Sequence, residues 1–206
     1  MAMFTNLYRQ FNRRRLKDPN YAFLFEPPPV AEVVSLDCET DSLNPKQAQL
    51  LSLGAVRIQG NRIRLSQKLE LFIKPTTQIA AASIKIHGLR HCDVVNGLLP
   101  EEAVLTLVNF ISSCPLVGYY LEFDLAIINK YLQPILGITL PNRQLDVSGL
   151  YYQSKLKKFR TNWPLPHIDL RFDSIMQDLG LPIQGKHNAV NDALMTALMY
   201  VKLKNS

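Results

Sequence analysis

An uncharged run that ends on two acids places the tightest limit on the fold of this chain. Val33-Val34-Ser35-Leu36 carries no charge and leads directly into Asp37-Cys38-Glu39. A strand this apolar is expected at the centre of a sheet, covered on both faces. Period two puts Asp37 and Glu39 on one face, roughly 6.5–7 Å apart along the backbone, and turns Cys38 toward the core. Two anions that close repel unless a cation lies between them. In open α/β sheets, sites gather at the carboxyl ends of central strands, which is where this pair falls.

The remaining pattern predicts what surrounds that strand. Leu50 to Ile58 and Ile63 to Ile73 are β-rich, and Gly60-Asn61 between them is a hairpin signal, so the first three strands form an antiparallel meander. After residue 75 the period becomes helical. Glu101 to Ser112 starts behind Pro100 and puts Val104, Leu107, Val108 and Ile111 on one stripe. Pro115 to Tyr120 reads as a short strand, Asp124 to Leu136 as a helix and Gln144 to Val147 as a strand. Ile168 to Leu179 reads as a helix stopped by Gly180 and Pro182. Ala189 to Leu203 is a last helix with Leu194, Ala197, Leu198 and Val201 inward. Meander followed by alternation implies an α/β fold, a mixed sheet with helices packed on it.

Residues 1–29 read as a basic arm and Pro-rich linker ahead of a domain over 30–206. Phe4, Leu7, Tyr8 and Phe11 recur at helical spacing before Arg13-Arg14-Arg15, and Pro27-Pro28-Pro29 ends any helix. Two readings stand side by side: the arm packs on its own domain, or it docks a partner or nucleic-acid phosphates.

Charge and cysteine usage narrow the class. Lys and Arg number 23 against 17 Asp and Glu, a net +6 that suits a polyanionic partner. Cys38, Cys92 and Cys114 are an odd set without a C-x-x-C pair, which argues against a disulfide framework or zinc ribbon and for a reducing, cytoplasmic setting. No apolar run approaches the roughly 18 residues of a membrane helix, so no membrane partner is expected. The N-terminus has no apolar h-region of a secretory signal. His87 and His91 are spaced i, i+4, but no third ligand is evident and Gly88 interrupts a helix, which weighs against zinc. Lys155, Lys157, Lys158 and Arg160 precede Trp163; such a run is a solvated face or, beside an aromatic, a phosphate track.

Two further acids sit at helix starts, Asp124 after Gly118-Tyr119-Tyr120 and Asp192 within His187-Asn188-Ala189-Val190-Asn191-Asp192. Each alone reads equally as a helix cap. Together with Asp37 and Glu39 they carry a resemblance. The chain resembles the DEDDh-type 3′–5′ exonucleases, the superfamily of the proofreading epsilon subunit of bacterial replicative polymerases. Leu36-Asp37-Cys38-Glu39-Thr40 matches the Asp-x-Glu-Thr motif, and Glu122-Phe123-Asp124 matches Phe-Asp ahead of a helix. His187 to Ala193 matches His-Asn-Ala-x-x-Asp-Ala. The chain departs at Asp41-Ser42, where Thr-Gly is usual, and at Tyr119-Tyr120, where many members carry His-Asn. The resemblance spans about residues 30–203 and implies a ribonuclease H-like mixed sheet, three antiparallel strands then parallel ones, flanked by helices.

It also implies a chemistry. Paired cations about 4 Å apart neutralise a phosphodiester and assist attack by water. Hard oxygen ligands suit two Mg²⁺, or Mn²⁺. By resemblance Asp37 bridges both ions, Glu39 and Asp192 complete one site, and Asp124 holds the other. His187 fits a general base. If it and Asp192 were both helical they would lie about 140° apart, so His187 is expected in the loop before the helix, with Asn188 as its cap. By resemblance the Thr40 backbone meets the terminal sugar, Leu43 wedges against its base, and His87 lies near the same nucleotide. The implied function is 3′–5′ exonuclease action on DNA, on single-stranded or frayed ends, releasing nucleoside 5′-monophosphates. An RNA-directed exoribonuclease of the same superfamily, and a non-catalytic nucleic-acid-binding or polymerase-tethering module, are the alternatives. No long C-terminal tail follows the last helix, so stand-alone action, or docking of a polymerase or other protein through residues 1–29, is expected.

Overall fold

In the computed structural model, residues 2–79, 81–158 and 167–205 are described. Five strands form one sheet: β1 (Glu32–Thr40), β2 (Leu50–Gln59), β3 (Arg62–Phe72), β4 (Leu116–Gly118) and β5 (Gln144–Asp146). Their order is β3-β2-β1-β4-β5. β1 pairs antiparallel with β2 and parallel with β4; β2–β3 is antiparallel and β4–β5 parallel. The mixed sheet read from the sequence is therefore present, and the uncharged run lies in its central strand.

The β2–β3 hairpin turns at Gly60, whose φ of +62° is the left-handed conformation that such a turn requires. The β2–β3 ladder steps from Val56 opposite Lys68 to Arg57 opposite Arg64, which leaves Leu65, Ser66 and Gln67 outside the register on the outer strand. That is a large bulge.

Eight α-helices complete the described chain: α1 (Ala2–Arg15), α2 (Ala81–His87), α3 (His91–Val94), α4 (Pro100–Ile111), α5 (Leu121–Leu136), α6 (Val147–Lys158), α7 (Phe172–Asp178) and α8 (Ala189–Lys204). Alternation along β1 splits the core in two. Val34, Leu36 and Cys38 join Leu107, Ile111, Leu125 and Ile128 of α4 and α5 on one face. Val33 joins Val147, Ile175, Met195 and Met199 of α6, α7 and α8 on the other. Asp37 and Glu39 are in phase with Val33, so they belong to the α8 face.

Several elements depart from the sequence reading. α5 begins at Leu121, three residues ahead of Asp124, because Asp146 Oδ2 accepts the Leu121 N–H (2.9 Å) and supplies a start that Tyr120 cannot. α7 begins at Phe172 and not Ile168: the Asp169 carboxylate accepts both the backbone N–H and the side chain of Arg171, a local turn that competes with helix. The inward face of α8 is Ala193, Met195, Thr196, Ala197 and Met199, while Leu194, Leu198 and Val201 are only half-buried. The small residues let α8 lie close to the sheet. The short helices α2 and α3, and α6, carry no strong apolar period.

The N-terminal segment folds back. Asp18 caps a 3₁₀ turn over Pro19–Phe25, and Leu24 and Phe25 are buried in the α4–α5 core. Arg9 donates to the Leu24 and Glu26 carbonyls, and the Lys17 N–H to the Leu136 carbonyl (2.9 Å) at the end of α5. Arg13, Arg14, Arg15 and Phe11 stay exposed. Of the second basic cluster, Lys155 pairs with Asp178 (2.7 Å) and Lys157 is exposed; Arg160 and Trp163 lie outside the described residues. No helix among the described residues is long and apolar enough to cross a membrane.

Candidate active site

β1 delivers its two acids to a cleft of about 520 Å³, lined by Asp37, Glu39, Asp124, His187 and Asp192 together with Thr40, Leu43 and His87. The sequence-predicted site residues thus meet in one place, though they come from four separated segments. His91 is not part of it, and no ligand cluster among the described residues contains it.

Each segment is held there for a local reason. Asp124 lies in the first turn of α5, and its Oδ1 accepts the Cys38 N–H (3.0 Å), which ties α5 to β1. Asp146 accepts from Leu121 N–H, Ser148 N–H, Ser148 O–H and Gly149 N–H, so one carboxylate starts both α5 and α6. Asp146 is a functional residue beyond those predicted from sequence; its signal is an Asp just ahead of a helix, itself a cap position. Asp192 rides on the first turn of α8, which Asn188 caps by accepting the Asn191 N–H (3.0 Å).

α8 reaches the sheet because Gly54 has no side chain. A β-carbon there would stand 2.1 Å from the Ala189 carbonyl carbon. Gly54 lies directly opposite Asp37 in the β1–β2 ladder, so this close approach brings Asp192 to the two strand acids.

His187 sits in the loop ahead of α8, with a left-handed φ of +62°. Three ties fix that loop. The His187 N–H donates to Asp192 Oδ2 (3.0 Å), Asn191 donates to the Gly185 carbonyl (3.1 Å), and Lys186 pairs with Asp173 (2.8 Å). The imidazole itself is exposed to the cleft.

The rim is organised around Gln49, which accepts from Thr76 and Thr77 N–H and donates to Asp41 Oδ2 (2.7 Å). Asp41 also accepts the Gln49 N–H (2.7 Å). This network joins the β1–β2 loop, with the exposed Leu43, to the segment entering α2. Thr40 Oγ1 donates to the Ser42 carbonyl within that loop. His87, at the end of α2, is buried; its Nδ1 accepts the Leu89 N–H (3.0 Å), so the neutral ring carries its proton on Nε2. Nε2 is buried without a hydrogen-bond partner. Burial holds its pKa below the usual histidine value.

The four carboxylates perturb one another. Burial, then the charges of Asp124, Asp192 and Glu39, push Asp37 well above the carboxylate range. Burial, then Asp192 and Asp124, push Glu39 up to about 7. Burial raises Asp124 against the opposing hydrogen bonds from Cys38, and it raises Asp192 against the His187 N–H. Such a cluster is unstable as four anions and calls for cations. The donor set fits them: Glu39, His187 and Asp192 each bring one ligand atom within 4.8 Å of the others, and Asp192 Oδ1 is buried with no hydrogen-bond partner. These are mainly hard oxygen donors, suited to Mg²⁺ or Mn²⁺.

Comparison with known proteins gives the family and the fold. The exonuclease family termed RNase_T matches residues 34–200. A PolC-type DNA polymerase III of Thermotoga maritima is 27% identical over 172 residues, covering 84% of this chain and 12% of that protein. The DNA polymerase III epsilon subunit of Aquifex aeolicus is 26% identical over 171 residues, covering 82% and 79%. RNA exonuclease 4 of Saccharomyces cerevisiae is 25% identical over 182 residues, covering 85% and 55%. The chain thus spans about an eighth of the PolC-type relative's length. Exonuclease I of E. coli, solved with a dT13 oligonucleotide, shares the fold at a TM-score of 0.69 and 15% identity over 84% of this chain and 41% of that one.

Proposed function

The chain belongs to the RNase_T exonuclease family, and from that starting point we propose that it is a 3′–5′ exonuclease that releases nucleoside 5′-monophosphates from DNA ends, single-stranded or frayed. The observation that carries this reading is the meeting of Asp37, Glu39, Asp124, Asp192 and His187 in one cleft. Their mutual repulsion supports a pair of divalent cations, which Asp37, Glu39, Asp124 and Asp192 would hold. Such cations, when bound, neutralise the phosphodiester charge and lower the cost of deprotonating water.

The chain's own groups do the rest. The exposed His187 imidazole accepts a proton from the attacking water, while Asp192 holds its backbone. The new P–O bond forms as the bond to the 3′-oxygen of the penultimate nucleotide breaks; that oxygen takes a proton from water to become a 3′-hydroxyl, and the terminal nucleotide leaves as its 5′-monophosphate. His87 lies near the terminal nucleotide, Leu43 packs on its base, and the Thr40 backbone meets its sugar. The DNA polymerase relatives favour DNA, and the RNA exonuclease relative keeps RNA as the rival substrate. The exposed arginines of α1 support residues 1–29 as the contact for a polymerase or other protein, and the unpaired cysteines Cys38, Cys92 and Cys114 support a reducing cytoplasm.

The test is cleavage of matched 3′-labelled DNA and RNA oligonucleotides in Mg²⁺ by wild type, Asp37→Asn and Asp124→Asn. Loss of cleavage in both variants with the fold retained is expected. Undiminished cleavage by either would refute the assignment, and a wild-type chain that binds the oligonucleotides without releasing nucleotide would leave the tethering-module reading.

A further inference from the structure

Tyr120 stands at the mouth of the cleft in a conformation its side chain disfavours. Its φ of +49° and ψ of +43° are left-handed. Glycine and asparagine adopt that region readily; a bulky residue there is strained. Forty-eight per cent of Tyr120 nevertheless stays exposed, so core packing does not explain the ring. It meets Tyr119 edge to face, with centroids 4.6 Å apart. Tyr119 is fixed in turn: its hydroxyl donates to the Leu170 carbonyl (2.8 Å), and its ring meets Phe172 at 5.1 Å and 86°. Three rings therefore run from α7 to the cleft, and the one at the open end is exposed. Of the large apolar side chains left exposed among the described residues, Leu43 and Tyr120 are the two that line the cleft.

Its place on the chain limits what this ring can meet. Tyr120 precedes Asp124 by four residues, about 6 Å along the axis of α5. A group resting on Tyr120 therefore lies within about one nucleotide of a phosphate engaged by Asp124. A ring held by its neighbours loses little rotamer freedom on binding. Aromatic faces accept any base, so such a contact grips a strand without reading its sequence.

We infer that Tyr120 is a stacking platform for a nucleobase at the 3′ end of the bound strand. The inference rests on the exonuclease reading for its substrate class.

The experiment removes the ring from the protein and the base from the substrate. Tyr120→Asn keeps a residue suited to the left-handed backbone, so its melting temperature is expected to equal or exceed that of wild type. Affinity is read by anisotropy of a labelled deoxyoligonucleotide in Ca²⁺, and KM and kcat are read in Mg²⁺. Tyr120→Asn is expected to weaken binding and raise KM about tenfold, within the range of one base–aromatic stack, with a smaller change in kcat. Tyr120→Phe restores both. An oligonucleotide with abasic sugars at its two 3′-terminal positions loses about tenfold against wild type and loses nothing further against Tyr120→Asn. The inference is overturned if Tyr120→Asn binds like wild type, if its loss persists undiminished on the abasic strand, or if phenylalanine does not restore binding. A wild-type chain that binds without cutting removes the exonuclease reading alone, and the anisotropy ratios still decide the stacking. A chain that binds no oligonucleotide removes both.

Discussion

Replacing Gly54 with alanine tests whether the distance between α8 and the sheet sets the chemistry. The added carbon would lie 2.1 Å from the Ala189 carbonyl carbon and 2.2 Å from both the Ala189 oxygen and the Val190 nitrogen. All three are backbone atoms, so no side chain can turn aside. Ordinary contact begins near 3.4 Å, so the first turn of α8 must retreat by about 1.3 Å. Asn188, the cap, and Asp192, the carboxylate, move with it, and the His187 N–H loses its partner or follows. Overpacking of this kind costs about 1–3 kcal/mol, and displacement of a reacting group by about 1 Å costs on the order of 10²-fold in rate. The readouts are kcat on a 3′-labelled oligonucleotide, Mn²⁺ affinity by calorimetry and a thermal melt in EDTA. Gly149→Ala is the control: nothing lies within 4 Å of its added carbon, and it lies within α6, where alanine is the better helix former. The expected result is a large fall in rate and metal affinity for Gly54→Ala with a melting loss of about 2–12 °C, and none of these for the control. A Gly54→Ala protein with wild-type rate and metal affinity would refute the reasoning.

Three more outcomes follow from the same structure. Without metal, Glu39 is expected to make the protein more stable in acid: the unfolded group ionises near 4.5 and the folded one near 7, so its stability is full below 4.5, is lost between those values and is absent above about 7. At about 1.4 kcal/mol per unit this is about 3 kcal/mol, so Glu39→Gln melts higher than wild type in EDTA at pH 8, and the order reverses in saturating Mg²⁺. Asp146→Ala leaves the starts of α5 and α6 uncapped and is expected to cost about 1–3 kcal/mol in urea unfolding, with a fall in activity because Asp124 shares that helix turn. Leu24→Ala removes a fully buried side chain from the α4–α5 core and is expected to lower unfolding free energy by about 2–5 kcal/mol; a change under about 0.5 kcal/mol would show that the N-terminal segment is dispensable to the fold.

How much of this could be read in the chain depended on the range of the interaction responsible. The central strand and its two acids were visible because period two is local: Val34, Leu36 and Cys38 alternate with Asp37 and Glu39 over nine residues. The hairpin announced itself in Gly60-Asn61, and the five-residue separation from Asp192 placed His187 ahead of α8. What escaped was set at a distance or by a competing local bond. Asp169 delays α7 by capturing Arg171, and Asp146 advances α5 from another strand's end. The inward face of α8 follows from its close approach at Gly54, which favours Ala193 and Ala197 over Leu194 and Leu198. The left-handed backbone of Tyr120 has no signature in residue type, since tyrosine is a poor candidate for it.

The two margins of the sheet bear on how this molecule can associate. On one side, Leu65, Ser66 and Gln67 push β3 out of line; on the other, β5 stops after Gln144, Leu145 and Asp146. The bulge divides the outer edge of β3 into two short runs and β5 offers three residues, so among the described residues neither border gives a foreign strand a long straight row of amide and carbonyl groups. Association through side chains on the helices and loops is therefore favoured over strand addition.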